Sequence, residues 1–294
     1  MRLIRLAALV AAALPLVLQA QPSAHYVPGA EGIKGASLPP PGLYLRDYTI
    51  AYTADRLNDA AGHEINGIGA DAFIFANVPR LLWITDTKVL EGNLGFDALL
   101  PVKNTDLRVK AAGFDHSTLG IGDLFTEATL SWHIPQCDTA IGYGLWIPTG
   151  TSAGGLNTKA GSGFWTHMFT AGVTWYFDSD KAWAISLLNR YEISSKQRHV
   201  DFTPGDTDTL EWGLSYAATK TLDVGLAGYF QRQVGRASGT AASPGRSRVS
   251  GVGPEVSGFI PGATLGWSLR WVHEFNAKNR FQGDTIALTL TKVL

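Results

Sequence analysis

Along much of the chain, apolar and polar residues alternate with a period of two. In 263–275, Leu265, Trp267, Leu269, Trp271 and Phe275 fall on one side, and Thr264, Gly266, Ser268, Arg270 and Glu274 on the other. In 209–218, Leu210, Trp212, Leu214 and Tyr216 oppose Thr209, Glu211, Gly213 and Ser215. In 222–233, Leu222, Val224, Leu226 and Phe230 oppose Asp223, Gly225, Tyr229, Gln231 and Gln233. Residues 286–291 repeat the pattern at the end of the chain. Alternation of this kind predicts strands with two unlike faces, one apolar with aromatic ends and one polar. An all-β transmembrane antiparallel barrel has that requirement, with lipid outside and a wet or filled interior.

Candidate strands are 43–53, 66–77, 81–86, 89–101, 106–112, 122–134, 138–147, 164–177, 182–193, 208–219, 222–234, 249–258, 263–275 and the closing 286–291. Every candidate counted gives about 14 strands, and merging the weak ones near 66–90 gives about 12. Residues 78–80 read as a break, and Pro254 marks 249–258 as a bulge or an edge. The connections alternate in length. Long ones (148–163, 195–207, 235–248, 276–283) follow short ones (135–136, 178–180, 220–221, 259–262). Outer-membrane barrels have short periplasmic turns and longer outside loops, so the alternation sets an orientation with both ends of the barrel sheet in the periplasm.

Ahead of the barrel, 43–294, lie two other segments. Residues 1–20 read as a cleaved export signal: Arg2 and Arg5, an apolar run from Leu6 to Leu18, and Leu18-Gln19-Ala20 before Gln21. Residues 21–42 are irregular, because Pro28, Gly29, Gly32, Gly35, Pro39, Pro40, Pro41 and Gly42 forbid a helix or an inner strand. This segment is either a loose periplasmic tail or a plug in the barrel mouth, and Tyr26, Val27, Ile33 and Leu38 give it something to pack.

Composition narrows the function. No later run is long enough for a membrane helix. Loss of Arg2 and Arg5 leaves a weakly acidic mature chain, which argues against a nucleic-acid partner. Cys137 stands alone, so no internal disulfide can form. No metal motif occurs, and no cofactor is expected. Ser131, His133 and Glu127 share a strand face, but residues two apart along a strand lie roughly 6.5–7 Å apart, too far for a hydrogen-bonded catalytic set. The chain therefore reads as a non-enzyme, and His167, beside Trp165, reads as a girdle residue. The inward charges Glu127, Arg190, Glu192, Glu211, Arg270 and Glu274 are the candidate lumen-lining and selectivity residues. Paired across the lumen they would close it or merely stabilise it; hydrated, they would line a cation-preferring pore. Inward Phe125, Trp146, Tyr176 and Tyr229 suit stacking against an apolar solute, and equally plain packing.

Several stretches carry a resemblance. His25-Tyr26-Val27-Pro28-Gly29, Leu38 through Tyr44, Tyr52-Thr53-Ala54-Asp55-Arg56, Gly251-Val252-Gly253-Pro254 and His273-Glu274-Phe275 through Asn279-Arg280 are similar to a bacterial outer-membrane family. It is associated with the meta-pathway of phenol degradation and includes porin-like proteins linked to sphingosine. The resemblance implies outer-membrane location and a channel or transporter for small hydrophobic, often aromatic, molecules. It brings no agreed site residues. The alternatives are a structural or adhesive surface protein working through loops 148–163 and 235–248, a barrel hydrolase, and a soluble lipid-binding protein.

Overall fold

The computed structural model describes residues 24–151, 160–242 and 245–294. The export signal predicted for 1–20 lies outside the described residues. Fourteen antiparallel strands follow one another: β1 (Gly42–Asn58), β2 (Ala70–Val89), β3 (Gly92–Leu99), β4 (Val102–Val109), β5 (Phe114–Ile121), β6 (Leu124–Ile134), β7 (Cys137–Ile147), β8 (Thr166–Tyr176), β9 (Trp183–Ser194), β10 (Thr207–Thr219), β11 (Leu222–Gln233), β12 (Arg248–Ile260), β13 (Leu265–Lys278) and β14 (Arg280–Val293). Strand β1 pairs with both β14 and β2, which closes the sheet. Strands β3 and β4 both pair with β2 and form one stave interrupted at Leu100–Pro101. Strands β5 and β6 form another, interrupted at Gly122–Asp123. The result is a closed barrel of 12 staves. Closure leaves no lipid-exposed edge in the hydrocarbon region, where an unpaired backbone group is costly.

The outer face carries the apolar rows. Leu269, Trp271 and Phe275 are exposed, whereas Arg270 and Glu274, between them in sequence, are buried inside. Trp183 packs on Tyr216 near the periplasmic turns, and Trp83 on Phe96. At the other end His167 bonds Tyr143 and faces outward. On β4 and β5 the outward residues Asp106, Arg108, Asp115 and Ser117 are polar, so this hairpin projects beyond the lipid.

Four details differ from the sequence reading. The supposed break at 78–80 is continuous strand, with Pro79 on the outer face of β2. Residues 113–121, unassigned by alternation, contain the whole of β5. Residues 276–283 are no loop: β13 and β14 meet at Asn279, and Asn276 and Asn279 take left-handed conformations that permit the tight reversal. Finally, β1 turns its aromatic face inward. Tyr44, Tyr48 and Ile50 are buried in the lumen, while Asp47 and Thr49 face out beside Asn77. The inward face of β1 and β2 is thus largely apolar, broken by Arg46 and Arg80, unlike the polar inner face of β9 to β13.

Candidate functional site

Residues 24–41 lie inside the barrel. They run from the outer half, where His25 contacts the β5–β6 break, to the periplasmic end, where Ser37 meets Asp138 beside the β6–β7 turn. The segment has no strand partner, so its backbone groups need side-chain partners. Wall carboxylates supply them. Glu192 accepts the amides of His25 and Tyr26, Glu211 that of Gly29, and Glu255 that of Ile33. Ser186 Oγ accepts the Ala36 amide. Carbonyls are met by donors: Gln231 Nε2 donates to Tyr26 O, and Arg270 Nη2 to Ala30 O at 2.9 Å. Close approach is required too. A Cβ at Gly213 would overlap the backbone of Ile33, and one at Gly32 the side chains of Glu255 and Arg270.

At the middle of the segment sits its one acid bonded to several arginines. Glu31 Oε1 accepts from Arg80 Nη1 at 3.0 Å, from Tyr48 OH at 3.1 Å and from Arg190 Nη2 at 3.5 Å; Oε2 faces Arg46 Nη1 at 3.4 Å. Burial alone would push the Glu31 carboxyl up, but Arg46, Arg80 and Arg190 together hold it at about 2. His25 is also shifted down, but by burial rather than by charge. Burial lowers its pKa, opposed by the hydrogen bond from Nε2 to Asp123 at 2.9 Å.

The inward charges read from the sequence are all buried, and the geometry gives them specific partners. Arg190 bonds Tyr26 OH at 2.7 Å and lies 3.4 Å from Glu211. Arg270 pairs with Glu255 at 2.9 Å. Glu127 accepts from Thr170 at 2.6 Å and lies 3.6 Å from Arg80. Glu274 accepts the hydroxyls of Tyr52 and Tyr229 and the Gly283 amide. The four aromatics also meet the segment. Phe125 and Trp146 pack around Tyr26, Tyr229 lies against Gly29, and Tyr176 shares Asp138 with Ser37. Ser131, His133 and Glu127 are not brought together: His133 pairs with Asp138, and Ser131 Oγ has no partner among the described residues. Among the described residues, no group of His, Cys, Asp and Glu could hold a metal ion.

Sequence reasoning missed Glu31, Arg46, Arg80, Asp97 and Glu255. Arg46 held a signal, since an arginine on the same face as Tyr44, Tyr48 and Tyr52 marks that face as inward. Arg80, bidentate to Asp97 at 3.0 and 2.8 Å, was hidden in the supposed break.

Two cavities meet end to end. The periplasmic one measures about 970 Å³ and the outer one about 430 Å³. Both are lined by Ala30, Glu31, Tyr48, Arg80 and Arg190, so the Glu31 cluster is the septum between them. The outer cavity has an apolar wall, formed by Ile50, Ile74, Val78, Leu99, Leu107 and Phe281.

These features define an outer-membrane β-barrel whose lumen is filled by its own N-terminal segment. Residues 54–290 match the family described under the MetA-pathway of phenol degradation, and the chain belongs to that family. No curated protein matches the chain. Among solved structures, an outer membrane channel from Pseudomonas putida F1 is similar at a TM-score of 0.79 and 16% identity, covering 92% of this chain and all 100% of that one. The β domain of the Bordetella autotransporter BrkA is similar at 0.52 and 12% identity, covering 86% of this chain and 99% of that one.

Proposed function

We propose that this barrel is a channel through which small hydrophobic or aromatic compounds cross the outer membrane passively, closed in this conformation by residues 24–41. The carrying observation is the pair of cavities, one facing each side, with the Glu31 cluster between them. The apolar wall of the outer cavity supports the solute class, because a polar or charged lining would offer such molecules nothing. Likeness in fold to a protein called an outer membrane channel agrees with the reading. The inward charges then serve chiefly to dock the segment rather than to line an open pore.

The test is uptake of an aromatic tracer by proteoliposomes holding the purified protein, with bilayer conductance alongside. Gly213→Val, which overlaps the path of Ile33, is measured beside the native chain. Uptake in the native protein, increased in Gly213→Val, is expected. Absence of uptake and of conductance in both would sink the channel reading and favour a filled barrel that is only structural.

A further inference from the structure

The ionic groups around the outer cavity are almost all paired. Arg80 is held by Asp97 and Glu31, Arg190 by Glu211 and Glu31, and Arg280 by Glu274 and Gln231. The carboxylates are equally committed. Asp123 accepts from His25 and from the amides of Gly150 and Ser162, and Glu274 from two tyrosines. Lys103 is different. It lines the same cavity, half-buried, and among the described residues its ammonium has neither a hydrogen bond nor an ion pair. Asp123, whose field reaches it, lies beyond ion-pair distance.

Its place in the sheet gives this charge a use. Lys103 is on the inner face of β4, opposite Ala76, which is itself opposite Ile50. The next inward row sets Ile74 against Thr105 and the one beyond it Ala72 against Leu107, so the strip leading away from Lys103 is apolar but for one hydroxyl. One ammonium therefore stands at the end of an apolar strip. A neutral hydrocarbon would leave that ammonium without an acceptor, and a cation would be repelled by it. A molecule with an apolar body and one anionic head satisfies both parts, the head through a charge-assisted hydrogen bond.

We infer that the outer cavity is a binding site for apolar or aromatic monocarboxylates, with Lys103 as the head-group anchor. The inference rests on the channel reading and narrows its solute class. The test is isothermal titration of the full chain, in a neutral detergent, with 2-naphthoate and with uncharged 2-naphthalenemethanol. The native protein binds the carboxylate about tenfold more tightly, the size of effect a hydrogen bond to a charged group gives. Lys103→Met brings the carboxylate down to the alcohol, and Lys103→Arg keeps the preference, each checked for folding by its heat-dependent gel mobility. Equal affinities in the native protein, no carboxylate binding at all, or a preference that survives in Lys103→Met overturns the inference. If Lys103→Met does not fold, the native comparison still decides. A failed channel reading shows separately, as carboxylate binding without uptake or conductance.

Discussion

Replacing Glu31 with glutamine tests whether the arginine cluster latches the lumen segment. The glutamine keeps the shape and loses the charge that three guanidiniums face. Glu31 is held at about 2 against an ordinary 4.5. A shift of that size corresponds to about 3 kcal/mol of docking free energy, or roughly a hundredfold in the ratio of docked to released segment. Because the docked carboxyl is the stronger acid, this contribution is fully present above pH 4.5 and disappears as pH falls through about 2. Two readouts follow. Lys34, ion-paired to Asp223 at 2.9 Å, becomes a trypsin site when the segment leaves. Bilayer conductance reports the open fraction. Glu31→Gln is expected to raise both at neutral pH and to flatten the dependence of conductance between pH 4.5 and 2, while the barrel keeps its heat-dependent gel shift. Nicking and conductance like those of the native protein, with the acid response intact, would refute the latch.

Three further variants probe other parts of the fold. Gly213→Val drives a side chain into the Ile33 backbone, so docking weakens by about 1–3 kcal/mol, the usual cost of overpacking; trypsin nicking at Lys34 measures it, and unchanged protection would contradict the close approach. Arg270→Glu sets two carboxylates against each other at Glu255 and removes the donor to Ala30; a loss of roughly 3–5 kcal/mol in docking is expected, with insertion of the barrel retained and checked by gel mobility. Asp47, with Asn77 donating to it at 2.7 Å, is a polar pair on the lipid face. The double change Asp47→Leu with Asn77→Leu is expected to stabilise the barrel by about 1 kcal/mol in denaturant titration, since ionised side chains facing lipid are costly; a loss of stability would mean that something polar covers this face.

The outer wall was legible because lipid imposes one rule on every stave. From β6 to β14 most outward positions are apolar, and period two follows. Legibility failed where that rule lapses. Residues 113–121 stand above the lipid, so Asp115 and Ser117 face outward without penalty and the alternation fades. On β1 and β2 both faces carry apolar side chains, so alternation alone leaves the inside open and Arg46 is the sign that marks it. At 276–283 the tight reversal rests on asparagines in a conformation that glycine would have advertised. The segment 24–41 was harder still. Its position depends on bonds such as Glu192 to His25, 167 residues apart, and no local propensity records such pairings.

That segment also explains why the inward charges are so unevenly placed. Glu192, Glu211 and Glu255 lie on β9, β10 and β12, and they meet successive amides at residues 25–26, 29 and 33. They stand in for the neighbouring strand that a Pro- and Gly-rich chain cannot form. Their bonds run from backbone donor to wall acceptor, so they hold the segment without depending on any side-chain charge of its own. Glu31 reverses the arrangement: the segment supplies the acid, and Arg46, Arg80 and Arg190 of three separate staves supply the cations. Arg80 and Arg190 keep Asp97 and Glu211 when Glu31 leaves, whereas Arg46 retains only hydroxyl partners. Release therefore uncovers one guanidinium at the periplasmic cavity rather than three. That asymmetry makes Arg46→Met the variant that weakens the latch while leaving the other two pairs in place. It is expected to raise nicking at Lys34 by less than Glu31→Gln does, and an equal or larger effect would show that Arg46, not the cluster as a whole, holds the segment.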